Sequence, residues 1–223
     1  MLPWLLLARA PIPGTADELT LHRRGGEFSI RIGSFELMTS RVHGSEDALA
    51  ELACARLRDR RGARVLIGGL GMGYTLRAAL HNLRRDACVV VAELIPAVIE
   101  WNREWLAHLS DRALDDPRVE IDIADVGELI RRGRAGYDAI LLDVDNGPRE
   151  HTRDSNRGLY TAVGLEAARA ALRPGGVLGI WSAGPDHAFR RSLQRSGFAV
   201  EEVRAPLRAG RRRAHTVWLA TVR

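Results

Sequence analysis

Val65, Leu66 and Ile67 run into Gly68-Gly69-Leu70-Gly71-Met72-Gly73, and a helical pattern begins at Tyr74. Gly69, Gly71 and Gly73 allow backbone conformations closed to other residues and let a ligand approach the chain. A strand that breaks into such a turn and re-enters as a helix belongs to a layered α/β sheet. The helix N-terminus after Gly73 favours a negative group on the ligand. A second apolar run, 88–92, ends in Glu93. A carboxylate at the next strand's tip can accept hydrogen bonds from both hydroxyls of a ribose. Leu94 or Ile95 could then pack on a base. A dinucleotide fingerprint would require Gly at position 74, where Tyr74 stands. The spacing therefore suits S-adenosylmethionine better than a nicotinamide dinucleotide.

Strand patterns recur at 64–68, 88–93, 118–123, 137–143 and 176–181. Helical patterns lie between them at about 74–84, 96–108, 126–132 and 158–172. The strand runs are continuously apolar, as in a parallel sheet covered on both faces; Asp138 interrupts one of them. The end differs. A helix at about 186–196 stops at Gly197, and two strands follow with an Arg-rich stretch between them. The expected fold is a doubly wound, seven-stranded α/β sheet of the class I methyltransferase type, closed by an antiparallel hairpin. Three short strands within 19–39 predict a small N-terminal β unit over 1–45, ahead of a Rossmann-like domain over 46–223. Ser45 is expected to cap a helix, with Glu46 and Asp47 in its first turn.

All 33 basic residues are Arg, which excludes Lys nucleophiles and Schiff-base chemistry. The net charge of +5 raises the question of nucleic acid. The Arg residues are spread out and aromatics are 5%, which argues against that partner. One cluster, Arg208, Arg211, Arg212 and Arg213 with Arg204 upstream, reads as a solvated loop or a contact to a phosphate or acidic partner. Cys54 and Cys88 are expected as buried thiols, and the His residues lack paired metal-ligand spacing. The apolar start lacks a basic segment and is broken by Pro3, and no run is long enough for a membrane span, so a cytoplasmic location is expected.

Several acids fall at expected strand ends, where ligands bind in such sheets. Asp125, followed by Val126, is placed to accept from an adenine amino group or to cap the next helix. Asp122 competes with it. Asp143 closes the fourth strand and could hold an acceptor amine and take its proton. Asp145 and Asn146 follow in a turn-forming Gly-Pro context. Downstream, His151 is a candidate acid or base, and Arg149, Arg153 and Arg157 are candidate carboxylate binders.

Over roughly 35–182 the sequence resembles the spermidine synthase family. The shared phrases are Val-Leu-Ile-Gly-Gly-Leu-Gly-Met-Gly, Glu93, Leu-Asp-Asp-Pro-Arg-Val-Glu-Ile ahead of Asp125, and Ala-Leu-Arg-Pro-Gly-Gly-Val-Leu at 171–178. The resemblance implies a nucleoside site of Gly69, Gly71, Met72, Gly73, Glu93, Leu94, Asp125, Val126 and Asp143, with Asp143 also catalytic beside Asp145 or Asn146. It also implies a homodimer. Departures touch the acceptor side. Met72 stands where the family has an Asp facing the amino end of decarboxylated S-adenosylmethionine, and Asn146 falls on the second catalytic Asp. His43 and Ala50 lie near the family's Gln and Tyr-His positions. On these departures the chain keeps one or two acceptor-side acids and adds Arg nearby. The first expectation is therefore a transferase moving a methyl or alkyl group from S-adenosylmethionine, or its decarboxylated form, to a small nucleophile other than a polyamine. The alternatives are a true aminopropyltransferase and a non-catalytic nucleoside-binding protein.

Overall fold

The computed structural model describes residues 2–144, 154–206 and 214–222. Seven strands form the main sheet: β5 (Arg64–Gly68), β6 (Cys88–Ala92), β7 (Val119–Asp122), β8 (Tyr137–Leu142), β9 (Leu172–Ser182), β10 (Phe198–Pro206) and β11 (Ala214–Val222). Their order is β10-β11-β9-β8-β5-β6-β7. The pairs among β5 to β9 are parallel, while β11 runs antiparallel to both β9 and β10. This is the doubly wound sheet with a closing hairpin that the alternating pattern predicts.

Continuous apolar runs hide a period of two. Val65, Ile67, Val89 and Val91 face one core, where α1 (Gly44–Cys54), α2 (Tyr74–Asn82) and α3 (Pro96–Arg103) contribute Leu49, Leu76 and Ile99. Leu66, Val90, Ile140 and Leu178 face the other, against Ile130, Leu165 and Leu193 from α4 (Val126–Arg132), α5 (Ala162–Ala171) and α6 (His187–Arg195). Asp138 lies in this apolar strand at 2% exposure. Its carboxylate pairs with Arg60 at 2.9 Å and Arg173 at 2.6 Å, and accepts from the Arg64 amide at 2.8 Å. A buried charge with three donors around it is tolerated.

The N-terminal unit is a four-stranded antiparallel sheet, β1 (Leu5–Pro11), β2 (Glu18–Arg24), β3 (Glu27–Ile32) and β4 (Phe35–Thr39), in that order. Leu19, Leu21, Phe28 and Ile30 join the same core as α1 to α3. Sequence patterning misses β1, because Leu5-Leu6-Leu7 does not alternate and prolines flank it. An edge strand tolerates such prolines.

Three local expectations are corrected. Helix α1 starts at Gly44, with His43 as the N-cap residue and no side-chain cap bond, so Ser45 is inside the helix rather than its cap. Helix α3 stops at Arg103, because Glu104 leaves the helical region (φ −107°, ψ −86°). The segment before α5 is a 3-10 helix, Asp154–Tyr160. Cys54 is buried, which pushes its thiol up to about 12, whereas Cys88 is only half-buried. No helix among the described residues is long and apolar enough to cross a membrane.

Candidate active site

A cavity of about 610 Å³ lies where the N-terminal sheet covers the carboxyl ends of β5, β6 and β8. Gly69, Gly71, Glu93, Leu94, Asp125, Val126 and Asp143 all line it, so the topology brings together residues scattered over 75 positions. Met72 and Gly73 do not line it. Met72 is fully buried in the core, which corrects the expectation that it faces the donor's amino end. Gly73 sits at the start of α2, with φ +79°.

The glycine loop is shaped by its neighbours. Gly69 has φ +82°, and a Cβ there would meet the Asp143 carbonyl oxygen at 2.8 Å. A Cβ on Gly71 would press on the Met38 sulfur of β4 at 3.1 Å. Tyr74, the residue that breaks the dinucleotide pattern, is used for packing. Its ring stacks on His43 with centroids 4.1 Å apart, and its hydroxyl donates to the Ser40 carbonyl at 3.2 Å. This seats the segment between the N-terminal sheet and α1.

Glu93 is 7% exposed. Its Oε2 accepts from the Leu70 amide at 2.9 Å and its Oε1 from the Ile95 amide at 2.8 Å. The carboxylate therefore fixes the glycine loop against the next turn. Asp125 is the cap that one of its two readings predicts, and it also faces the cavity. Its Oδ1 accepts from the Gly127 amide at 2.7 Å as the cap of α4, and the residue lines the cavity. Asp122 is exposed and outside the lining.

Asp143, just past β8, accepts a hydrogen bond from the Thr75 hydroxyl of α2 at 2.7 Å. Burial raises its pKa to about 6, with the Thr75 bond acting in the opposite direction. Glu46, from the first turn of α1, also lines the cavity and is 8% exposed. Burial and then the Asp143 charge raise it to about 7. The Ser45 hydroxyl donates to Glu46 Oε2 at 2.5 Å, and His215 Nδ1 lies 2.9 Å from Ser45 Oγ. Burial lowers the pKa of His215, and Trp181 packs edge-on against its ring at 4.6 Å between centroids.

Sequence reasoning did not single out Thr75, His215 or Trp181, and it took Glu46 for an ordinary helix-start acid. Ser45 and His215 are 170 residues apart, so no local spacing could pair them. Asp145, Asn146, Arg149, His151, Arg153, Arg208, Arg211, Arg212 and Arg213 lie outside the described residues. Arg157 is described and is not in the lining. Six carboxylates line the cavity (Asp17, Glu36, Glu46, Glu93, Asp125 and Asp143), and no arginine does among the described residues. No group of three or more His, Cys, Asp or Glu among the described residues is placed to hold a metal ion.

A sheet of this order, with a glycine loop and strand-tip acids at one cavity, defines a methyltransferase-like α/β protein. The spermine/spermidine synthase domain matches residues 47–186, more than half of the chain. The chain belongs to that family. It is 36% identical over 120 residues to polyamine aminopropyltransferase 2 of Pseudomonas aeruginosa, covering 52% of this chain and 32% of that protein. It is 30% identical over 195 residues to the polyamine aminopropyltransferase of Mycobacterium tuberculosis, covering 82% of this chain and 35% of that one. The chain thus spans about a third of the length of these curated relatives. The crystal structure of spermidine synthase from Thermotoga maritima superposes with a TM-score of 0.75 at 19% identity, over 97% of this chain and 72% of that one. A spermidine synthase complexed with the transition-state analogue AdoDATO superposes with a TM-score of 0.74 at 20% identity, with the same coverage of both chains. These two likenesses establish the fold.

Proposed function

We propose that this site is an aminopropyltransferase site, which moves the aminopropyl group of decarboxylated S-adenosylmethionine to a small polyamine-type amine. One observation carries the proposal: a chain with 33 arginines presents a cavity with six carboxylates and no described arginine. Such a wall favours cations and disfavours anions. The decarboxylated donor bears a sulfonium and an ammonium, and the acceptor bears ammonium groups. Intact S-adenosylmethionine adds a carboxylate, for which the described lining has no cationic partner. The polyamine aminopropyltransferases of Pseudomonas aeruginosa and Mycobacterium tuberculosis support the same choice over methyl transfer.

In this proposal Glu93 accepts from the ribose hydroxyls and Asp125 from the adenine amino group. Leu94, Ile95 and Val126 pack on the base. Asp143 takes a proton from the acceptor ammonium, because only the neutral amine has a lone pair to attack with. The nitrogen then forms a bond to the carbon next to the sulfonium. That carbon's bond to sulfur breaks, and its electron pair stays on sulfur as a neutral thioether. The product is a secondary ammonium. Most of the rate gain is assigned to in-line positioning of nitrogen and carbon. The test is incubation with putrescine and decarboxylated S-adenosylmethionine, with intact S-adenosylmethionine as the rival donor. Release of methylthioadenosine is the expected result. Its absence, or methyl transfer from the intact donor, rejects the proposal.

A further inference from the structure

Resting on that reading, we infer that Glu46 is the second carboxylate of the amine site, which holds the acceptor's ammonium jointly with Asp143 and is itself positioned by Ser45 and His215. The resemblance places the second acid after β8, at Asp145 or Asn146. The cavity supplies one from a different element, the start of α1.

Three features of the structure point to Glu46. An acid in a helix's first turn ordinarily stays in water, where it gains from the helix dipole. Glu46 is instead 8% exposed and lines the cavity that Asp143 lines. Its Oε2 is held by the Ser45 hydroxyl at 2.5 Å, and that hydroxyl is tied to His215 on β11 at 2.9 Å. A side chain anchored from the far end of the sequence is aimed rather than merely accommodated. Finally, two buried carboxylates whose charges oppose each other destabilise the empty protein. A bound cation relieves that opposition. The described lining offers no arginine for the purpose, and no metal-holding cluster occurs among the described residues. An organic ammonium fits.

The charged and titratable groups around Glu46 are Asp143 beyond β8, Asp47 on its own helix, Tyr74 on α2, and His215 on β11 through Ser45. Burial and the Asp143 charge hold the Glu46 carboxyl at about 7. Capture of an ammonium from the free protein should therefore improve as pH rises through that value, and Glu46→Gln should remove that step while leaving the one that Asp143 sets near 6.

The experiment titrates putrescine by calorimetry into the full chain saturated with methylthioadenosine, for the wild type, Glu46→Gln, Glu46→Asp and Ser45→Ala. Glu46→Gln is expected to weaken diamine binding about 10- to 100-fold, the usual worth of a charged hydrogen bond, while leaving nucleoside affinity unchanged. Glu46→Asp should recover part of the loss. Ser45→Ala should weaken the diamine less and move the pH step. Wild-type diamine affinity in Glu46→Gln, alongside aminopropyl transfer by the wild type, overturns the assignment of Glu46 and leaves the proposed reaction standing. No diamine binding by the wild type overturns both. Should Glu46→Gln lose the nucleoside as well, Ser45→Ala decides: an unchanged diamine affinity and pH step overturn the inference.

Discussion

The two halves of the cavity are built by opposite means. On the side proposed for the nucleoside, Gly69, Glu93 and Asp125 each follow a strand within one stretch of chain, and Glu93 and Asp125 are tethered to backbone amides a few residues away or in the adjoining turn. On the side proposed for the amine, Glu46, Asp143, Thr75 and His215 come from four separate elements, and side chains link Glu46 to His215 through Ser45 and Thr75 to Asp143. Backbone tethers resist substitution, whereas side-chain chains are lost one residue at a time. A family in which the nucleoside is kept and the acceptor changes would show this asymmetry.

The largest expected effect is on the amine side alone. Asp143→Asn should lower kcat for aminopropyl transfer by about 10²–10⁴-fold, the range of a lost general base. Nucleoside affinity should change little, as a titration with methylthioadenosine will report. Equal losses in both would mean that the halves are not separable. On the nucleoside side, Glu93→Ala removes the acceptor for the Leu70 and Ile95 amides. Donor affinity should fall roughly 10- to 100-fold through lost charged hydrogen bonds, and diamine binding to the free protein should be less affected. Gly69→Ala tests the seam between the halves. A Cβ at φ +82° would stand 2.8 Å from the Asp143 carbonyl oxygen. Strain on the order of 1–3 kcal/mol is expected, read as a lower Tm, with donor and acceptor kinetics both impaired.

The same contrast explains what the sequence disclosed. Strands β5 to β9, the closing hairpin, Gly69, Glu93 and Asp125 are visible because each is written in local spacing: an apolar run, a turn, then an acid. Tyr74 was legible as a break in a fingerprint, yet its role under His43 depends on a packing contact across 31 positions. Met72 misled because alignment gives a position and not a direction; its side chain turns into the core. Glu46 and His215 were illegible, since their partnership runs through Ser45 across 170 residues. The charge of the described cavity wall was illegible as well. Charge in the sequence is a sum, and the fold sorts it, sending arginines to Asp138 and Asp47 while the described cavity wall stays acidic.

The smallest expected effect is thermodynamic, and its sign separates the halves most sharply. Glu46 has a folded pKa of about 7 against an ordinary value of 4.5. A carboxyl raised on folding binds more protons in the native state than in the unfolded one between those two values. Stability therefore falls as pH rises from about 4.5 to 7, and the loss is complete above 7. Asp143, raised to about 6, adds to the same trend over a lower window. Replacing Glu46 by Gln removes one of the opposed charges while keeping an oxygen for the Ser45 hydroxyl. At pH 8 the empty Glu46→Gln protein should thus be more stable than the wild type, by on the order of 1 kcal/mol or roughly 2–4 °C in Tm for a chain of this size. At pH 4.5 the difference should vanish, because Glu46 is then protonated in the wild type. Glu93→Gln should show no such gain, since the Glu93 carboxylate already accepts from two amides. A stability gain at Glu46 paired with a loss of diamine binding is the signature of a group strained for function; thermal melts at the two pH values, with and without putrescine, will measure it.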